Sequence, residues 1–585
     1  MKSFISIKEF LIEQKKYYFI GILFLIIIDA IQLLVPQILK GLTDDLQNGT
    51  LNKSKIYLYI ILILSSGLLI GIGRYFWRIY IIGSSRSIEY KLRNKFFKHL
   101  LSLNSQFFNT HKTGDLMAHA TNDINAIRMA LGPGTIMIID SSFLLVFSLV
   151  MMVYTTNLKM TAFAVVTVPL IMYLVTRFGK IIYKKFRIVQ EAFSGLSDVT
   201  QESFSGIRII KSFVQENLVS DKFYRTNKNN LNKNLELVKT YGLFDPLLQF
   251  LSSISFVIII FYGGREVIYN NISLGDFIAF NSYLGILMWP TRALGMVINV
   301  LQRGAASIDR LDLIFNEKTD IIDPISPTLI ESMDGKIEFN NVSFKYPHSS
   351  EYVLKNINIS VQAGKTLAIL GGTGSGKSTI ANLILRLYDT DSGVILVDDI
   401  PLQDMSLANL RENIGFVPND NFLFSKSIKD NINLAFDKEA DMEKIISASK
   451  IARLHENIIE LPNKYDTVIG ERGVTLSGGQ KQRLSIARAI IKNPSILILD
   501  DSLSAVDTET EEKILEGINK IFKNTTVIII SHRISTVENA DEIIYLKDGK
   551  IVERGNHDSL LGIKGNYYNL YQKQLLEEMI NKEEI

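Results

Sequence analysis

The 585-residue chain contains no cysteine. That excludes disulfides, thiolate zinc sites and thiol catalysis, and leaves the compartment open. Strong net charge is missing too. The 63 Lys and Arg against 60 Asp and Glu leave +3, so no field of one sign points to nucleic acid. A third absence lies near the start. Lys2, Lys8, Lys15 and Lys16 surround or precede the apolar run Tyr17–Leu39. The run is longer than a signal-peptide core and has no small-residue cleavage site. It reads as a retained membrane span.

Length alone suggests about four domains. Hydropathy overrides that count, because the mean hydropathy of +0.18 averages an apolar front half and a soluble back half. Five further apolar runs fall at about 56–82, 135–156, 160–182, 243–264 and 277–300. Each holds roughly 20 apolar residues, enough to cross the hydrocarbon core. The third and fourth spans are joined only by residues around Asn157-Leu158-Lys159, so they form a tight hairpin. Basic residues crowd into 84–133 and 183–242, while the other connections are short and balanced. The positive-inside rule therefore puts both long loops and both termini in the cytoplasm. Helical periodicity in these loops extends the spans into the cytosol as helices. Asp29, Gln32, Asp140 and Arg292 lie inside the spans. Such residues face a bundle interior or a watery cavity. Two readings stay open for them: a substrate cavity of acidic character, and interhelical pairing or placement near a membrane face.

Residues 321–335 form a linker in which Pro324 and Pro327 interrupt the helical pattern. It divides a membrane domain, 1–320, from a soluble domain, 336–585, in which strands and helices alternate. The fold class is thus an all-α six-helix transmembrane domain fused to an α/β phosphate-loop domain.

Within the soluble half, Gly371-Gly372-Thr373-Gly374-Ser375-Gly376-Lys377-Ser378 fits the Walker A pattern G-x-x-x-x-G-K-[ST]. The apolar run Leu367–Leu370 precedes it and a helical pattern follows, which is the context the motif needs. Its glycines let backbone N–H groups turn inward around phosphate oxygens at a helix N-terminus, and Thr379 continues that turn. Lys377 would reach the β/γ-phosphates and the Ser378 hydroxyl would sit on Mg²⁺. Ser495–Asp500 is a buried strand ending in a carboxylate, as Walker B requires, and Asp500 would hold Mg²⁺ through its water shell. Asp501 stands where a carboxylate orients or deprotonates the attacking water. Another strand, Thr526–Ile530, ends at Ser531-His532, where a histidine meets a γ-phosphate. Leu476-Ser477-Gly478-Gly479-Gln480 opens a further helix and forms a second anion-binding N-terminus. One nucleotide rarely needs two such devices. The economical reading is that this one caps a nucleotide held by a second copy, head to tail.

These residues carry a family resemblance over nearly the whole chain. The sequence resembles an ATP-binding cassette exporter half-transporter, with LSGGQ at 476–480 as the family signature. The resemblance implies ATP and Mg²⁺ as ligands, export by alternating access, and a second half-transporter as partner. It implies membrane lipid and a small amphipathic substrate as further partners, and no nucleic acid. By the same resemblance Tyr346 stacks on adenine, Ser504–Asp507 is the D-loop and His532 the switch histidine. Thr467–Gly473 is the segment that contacts the membrane domain. Thr113–Met117 and Glu202–Arg208 match the exporter's cytoplasmic coupling loops. Arg128–Gly134 looks most like bacterial multidrug exporters of the heterodimeric group.

Two departures stand out. The family's catalytic glutamate is Asp501 here, and its Q-loop glutamine, which also serves the metal, is Asn419. Each change shortens the side chain by one methylene, about 1.5 Å. A base must lie within about 3 Å of the water it activates, so hydrolysis at this pocket should be slow while phosphate binding is untouched. This asymmetry suits a heterodimer. A homodimer that uses Asp501 as a working base is the alternative. Drug export is the favoured role, Asp29 and Asp140 favouring cationic amphiphiles. Lipid or peptide export and an ATP-gated channel remain as alternatives.

Overall fold

A computed structural model describes residues 2–583 apart from 329, 331, 348, 437–439 and 471–475. Arg292 is described by its backbone alone, and much of Thr467–Gly473 lies outside the described residues. The chain divides into two compact units. One comprises Met1–Ser102 and His111–Lys318, the other Leu103–Thr110 and Thr319–Ile585.

In the first unit six helices are long and apolar enough to cross a membrane: α1 (Lys8–Gln47), α2 (Lys53–Ser102), α3 (Thr113–Thr155), α4 (Leu158–Ser205), α5 (Glu216–Ile268) and α6 (Leu274–Phe315). Each runs well past its apolar stretch, as the loop periodicity suggests. Local chemistry sets several starts. The side chain of Asn52 accepts a hydrogen bond from the Lys55 amide ahead of α2, and that of Asn157 one from Met160 ahead of α4. Ser273 and Asp276 close a capping box on α6, satisfying two of the free N–H groups that every helix start leaves. The packed interior joins Leu33, Leu144, Met160, Ile259, Phe280 and Tyr283. A polar clip crosses it: the Tyr283 hydroxyl donates to the Leu33 carbonyl at 2.8 Å. Gln37 Nε2 in turn donates to Tyr283 and to Thr155.

In the second unit two sheets form. A six-stranded sheet runs β10 (Lys550–Gly555), β9 (Glu542–Lys547), β3 (Thr366–Gly371), β8 (Thr526–Ile530), β7 (Ile496–Asp500) and β6 (Ile414–Val417). All its pairs are parallel except β10 with β9. A four-stranded antiparallel sheet holds β2 (Leu354–Val361), β1 (Ile337–Phe344), β4 (Ser392–Val397) and β5 (Ile400–Pro401). Strands β7 and β8 are buried along their whole length. This is why they read as unbroken Ile/Leu/Val runs and not as alternating ones, since one face packs into a cluster of helices and the other against the helix Lys377–Ile384 and the antiparallel sheet. The consequence for function is geometric. Strands β3, β8 and β7 are neighbours, so Gly371, Ser531 and Asp500 emerge together at one carboxyl edge, where α/β sheets place ligands.

Candidate nucleotide site and membrane cavity

The loop after β3 bends through left-handed backbone at Gly374 (φ +79°) and Gly376 (φ +102°) before helix α7 (Lys377–Ile384) begins. Gly371 is needed for space, because a Cβ there would come 2.3 Å from the Leu546 carbonyl. Lys377 is buried and its ammonium folds back on the loop, donating to the Gly371 and Gly372 carbonyls at 2.9 Å each. Burial holds its pKa below the ordinary lysine value, and Asp501 and Asp500 nearby oppose that. The Ser378 hydroxyl donates to Asp500 Oδ1 at 3.0 Å. The two motifs therefore bring a hydroxyl and a carboxylate together, oxygen groups of the kind a hard cation such as Mg²⁺ prefers. Burial pushes the Asp500 carboxyl above its usual range, with Ser378 acting the other way. Thr379 and Tyr346 share a hydrogen bond of 3.0 Å between their hydroxyls, which fixes the tyrosine beside the loop. Tyr346 also meets Tyr388 edge to face at 5.2 Å.

Asp501 is half-buried and holds left-handed backbone, φ +46°, with its amide donating to the Ile530 carbonyl at 2.8 Å. Few side chains sit there without strain, and aspartate is one of the tolerated types. His532 follows β8 on the exposed rim. Burial of its inner side, then the Lys377 charge, lowers its pKa, while Asp501 and Asp500 act to raise it. Lys377, Asp500, Asp501 and His532 thus form one electrostatic cluster. Asn419 does not join them: its side chain is exposed and forms no hydrogen bond among the described residues.

The signature turn is built as a helix start. Ser477 and Gln480 make a reciprocal capping box on α8 (Gly478–Ile490). Gly479 is required by contact, since a Cβ would stand 2.8 Å from the Ala505 carbonyl. Buried Gln482 ties the same helix to that segment, donating to Ser504 Oγ at 3.1 Å and accepting from the Ala505 amide at 2.9 Å. Among the described residues no hydrogen bond joins this turn to the phosphate loop of its own chain.

Two features of the site carry no signal in the sequence. Arg533, next to His532, donates to the Ser504 and Val506 carbonyls and pairs with buried Glu511. Gln574, on the C-terminal helix α9 (Asn566–Glu583), clamps the segment that holds His532. It donates to the His532 carbonyl at 2.7 Å and accepts from the Ile534 amide at 2.9 Å. A glutamine in a charged amphipathic helix is unremarkable by pattern, so nothing singles it out.

The membrane unit has a cavity of about 580 Å³. Asp29, Gln32 and Asp140 line it, as their placement in the spans suggests, but so do Arg74 and Arg78. With two acids and two bases the lining is balanced, which corrects the acidic character expected from the aspartates alone. Ionisable side chains within membrane spans are costly and rare, so four gathered on one cavity mark it out.

Comparison with known proteins bears on both units. Residues 18–291 match the model of the ABC transporter transmembrane region, and 354–504 a model described simply as ABC transporter. A probable multidrug resistance ABC transporter ATP-binding/permease protein, YheI of Bacillus subtilis, is 38% identical over 96% of this chain and 95% of its own. The chain belongs to the ABC transporter family. MdlA of Escherichia coli, a multidrug resistance-like ATP-binding protein, is 34% identical over 99% of this transporter and 98% of its own length. An ATP-dependent lipid A-core flippase of Syntrophus aciditrophicus is 37% identical over 87% and 84%. Among solved structures, a bacterial Atm1-family ABC exporter with ATP bound superposes with a TM-score of 0.79 at 25% identity, over 96% of this chain and 98% of that one. The transporter is thus a multi-pass membrane protein that couples ATP hydrolysis to transport.

Proposed function

We propose that this transporter is one subunit of a heterodimeric exporter of drugs or other amphipathic compounds. Its own ATP pocket binds well and hydrolyses slowly, and its signature turn serves the partner's pocket. The carrying observation is the contrast between an intact phosphate loop and the two shortened side chains, Asp501 and Asn419. In this reading Gly371–Ser378 wraps the phosphates, Thr379 holds Tyr346 against the base, and Ser378 with Asp500 holds Mg²⁺. The metal would neutralise phosphate charge. Asp501 orients water from too far away, and His532 stands at the γ-phosphate. Ser477, Gly478, Gly479 and Gln480 present N–H groups to a nucleotide on the partner. The nucleotide domains, the long loops and both termini lie in the cytoplasm. ATP closes the pair and turns the bundle outward only because it binds the closed state more tightly than the open one.

The test is ATPase turnover of the purified chain alone and together with a candidate partner half-transporter, each with and without Asp501→Ala. The expected result is activity only in the pair, with the substitution changing turnover by no more than about twofold. A working general base contributes on the order of 100-fold or more. A loss of that size in the isolated chain would make the protein a homodimer using Asp501 as its base.

A further inference from the structure

The cavity of the membrane unit is chemically divided. Asp29, on α1, is 2% exposed, and among the described residues no donor reaches its Oδ2. Its carboxyl and that of Asp140, on α3, lie within hydrogen-bonding reach of each other. The Trp289 indole N–H already donates to Asp140 at 3.3 Å. The two carboxyl groups together therefore present several acceptor sites, and one long hydrogen bond from the indole meets them. Arg74 and Arg78 line the same cavity from α2, spaced four apart and so on one helical face. Neither forms an ion pair within 4 Å among the described residues, although the Arg74 charge acts on both carboxyl groups from a longer distance. The remaining lining is largely aliphatic and aromatic, and 580 Å³ lies within the range of small-molecule sites. A site of this kind lacks two things: N–H donors for the carboxyl pair, and an anion for the guanidinium pair.

We propose that this cavity binds an amphiphile whose polar end carries a primary ammonium beside an anionic group, with the ammonium on Asp29 and Asp140 and the anion on Arg74 and Arg78. The proposal deepens the exporter reading and rests on it for the site's role in transport. A primary ammonium brings three N–H donors, whereas a quaternary one brings none. Discrimination follows from that difference, because a site built to receive hydrogen bonds rejects the analogue that lacks them. A simple cationic amphiphile satisfies the carboxyl pair and leaves both guanidinium groups unmatched.

The chain has two tryptophans, Trp77 and Trp289, and both line this cavity. Intrinsic fluorescence therefore reports on it without a label. The experiment titrates the full-length protein in maltoside micelles, without ATP, with dioctanoyl phosphatidylethanolamine, dioctanoyl phosphatidylcholine and octylammonium chloride. The expected result is a saturable change with the ethanolamine lipid at a concentration at least tenfold below the other two. Asp29→Asn and, separately, Asp140→Asn should each remove that preference, the second serving if the first fails to fold. Arg74→Gln should bring the ethanolamine lipid down to the level of octylammonium. Equal response to all three probes overturns the proposal, as does octylammonium binding as tightly as the ethanolamine lipid in the native protein. Failure of the exporter reading shows elsewhere, as absence of ATP-driven movement of any amphiphile in sealed vesicles, whatever the fluorescence says.

Discussion

In the proposed reading the two sides of the nucleotide pocket are built to different standards. On the phosphate side several residues have a structural reason: Gly371 has no room for a Cβ, Gly374 and Gly376 turn through left-handed backbone, and Ser378 meets Asp500. On the water side Asp501 is short and Asn419 stands outside the cluster. The contrast teaches that holding a nucleotide and breaking it are separable tasks. The first relies on backbone N–H groups and charge, which tolerate imprecision of a few tenths of an ångström. The second depends on a single carboxylate's reach.

Lys377→Ala attacks the stronger side and should have the largest effect. Losing a charged partner of the phosphates costs several kcal/mol, so nucleotide affinity should fall on the order of 100-fold. Affinity measured with a fluorescent nucleotide checks it, and a change below about threefold would erase the contrast. Gly479→Val should leave this chain's nucleotide affinity within about twofold. Turnover of the pair should fall on the order of 100-fold, because the new Cβ displaces the turn from Ala505 by a distance to which catalysis is sensitive. If affinity falls instead, the signature serves its own pocket and the head-to-tail reading fails. Gln574→Ala removes two hydrogen bonds that fix the segment holding His532, each worth about 1 kcal/mol. The measurement is kcat against KM for ATP, where a positioning role lowers kcat severalfold and leaves KM alone.

The smallest effect concerns His532. Its folded pKa lies below the unfolded value of about 6.5, so the unfolded chain takes up the proton first as pH falls. Stability from this group is present above that value and is lost as pH drops through it towards the folded pKa. His532→Gln should flatten the fall in melting temperature below about pH 6.5. An unchanged slope would show that the histidine is solvated like a free one.

Much of this molecule is legible in its amino-acid sequence. Six runs of roughly 20 apolar residues admit few other readings. The glycine loop announces itself because its chemistry needs particular residues at fixed spacing. Arrangements between distant elements are not legible. Arg74 and Arg78 fall at the end of an apolar run, and no local pattern says that they share a cavity with Asp29. The segment Leu103–Thr110 groups with the nucleotide unit through contacts far along the chain. Helix ends are hard to place for the opposite reason, since periodicity continues smoothly past the apolar windows. Burial differs as widely within one bundle. In α2 only 11% of the apolar window is covered by the chain itself, against 40% in α6, and hydropathy alone does not rank them.

One small set of rings has a consequence for signalling. Asn109, in that short segment, donates to the Tyr388 hydroxyl at 2.9 Å, and Tyr388 stands edge-on to Tyr346. In the proposed reading Tyr346 meets the purine. The purine's arrival would then be felt two contacts away, at the segment's own amide side chain. Inorganic triphosphate would fill the glycine cradle and leave those rings at rest. The machine would register the fuel by the flat face of its base, as a lock registers the bitting of a key and ignores the weight of the ring it hangs on.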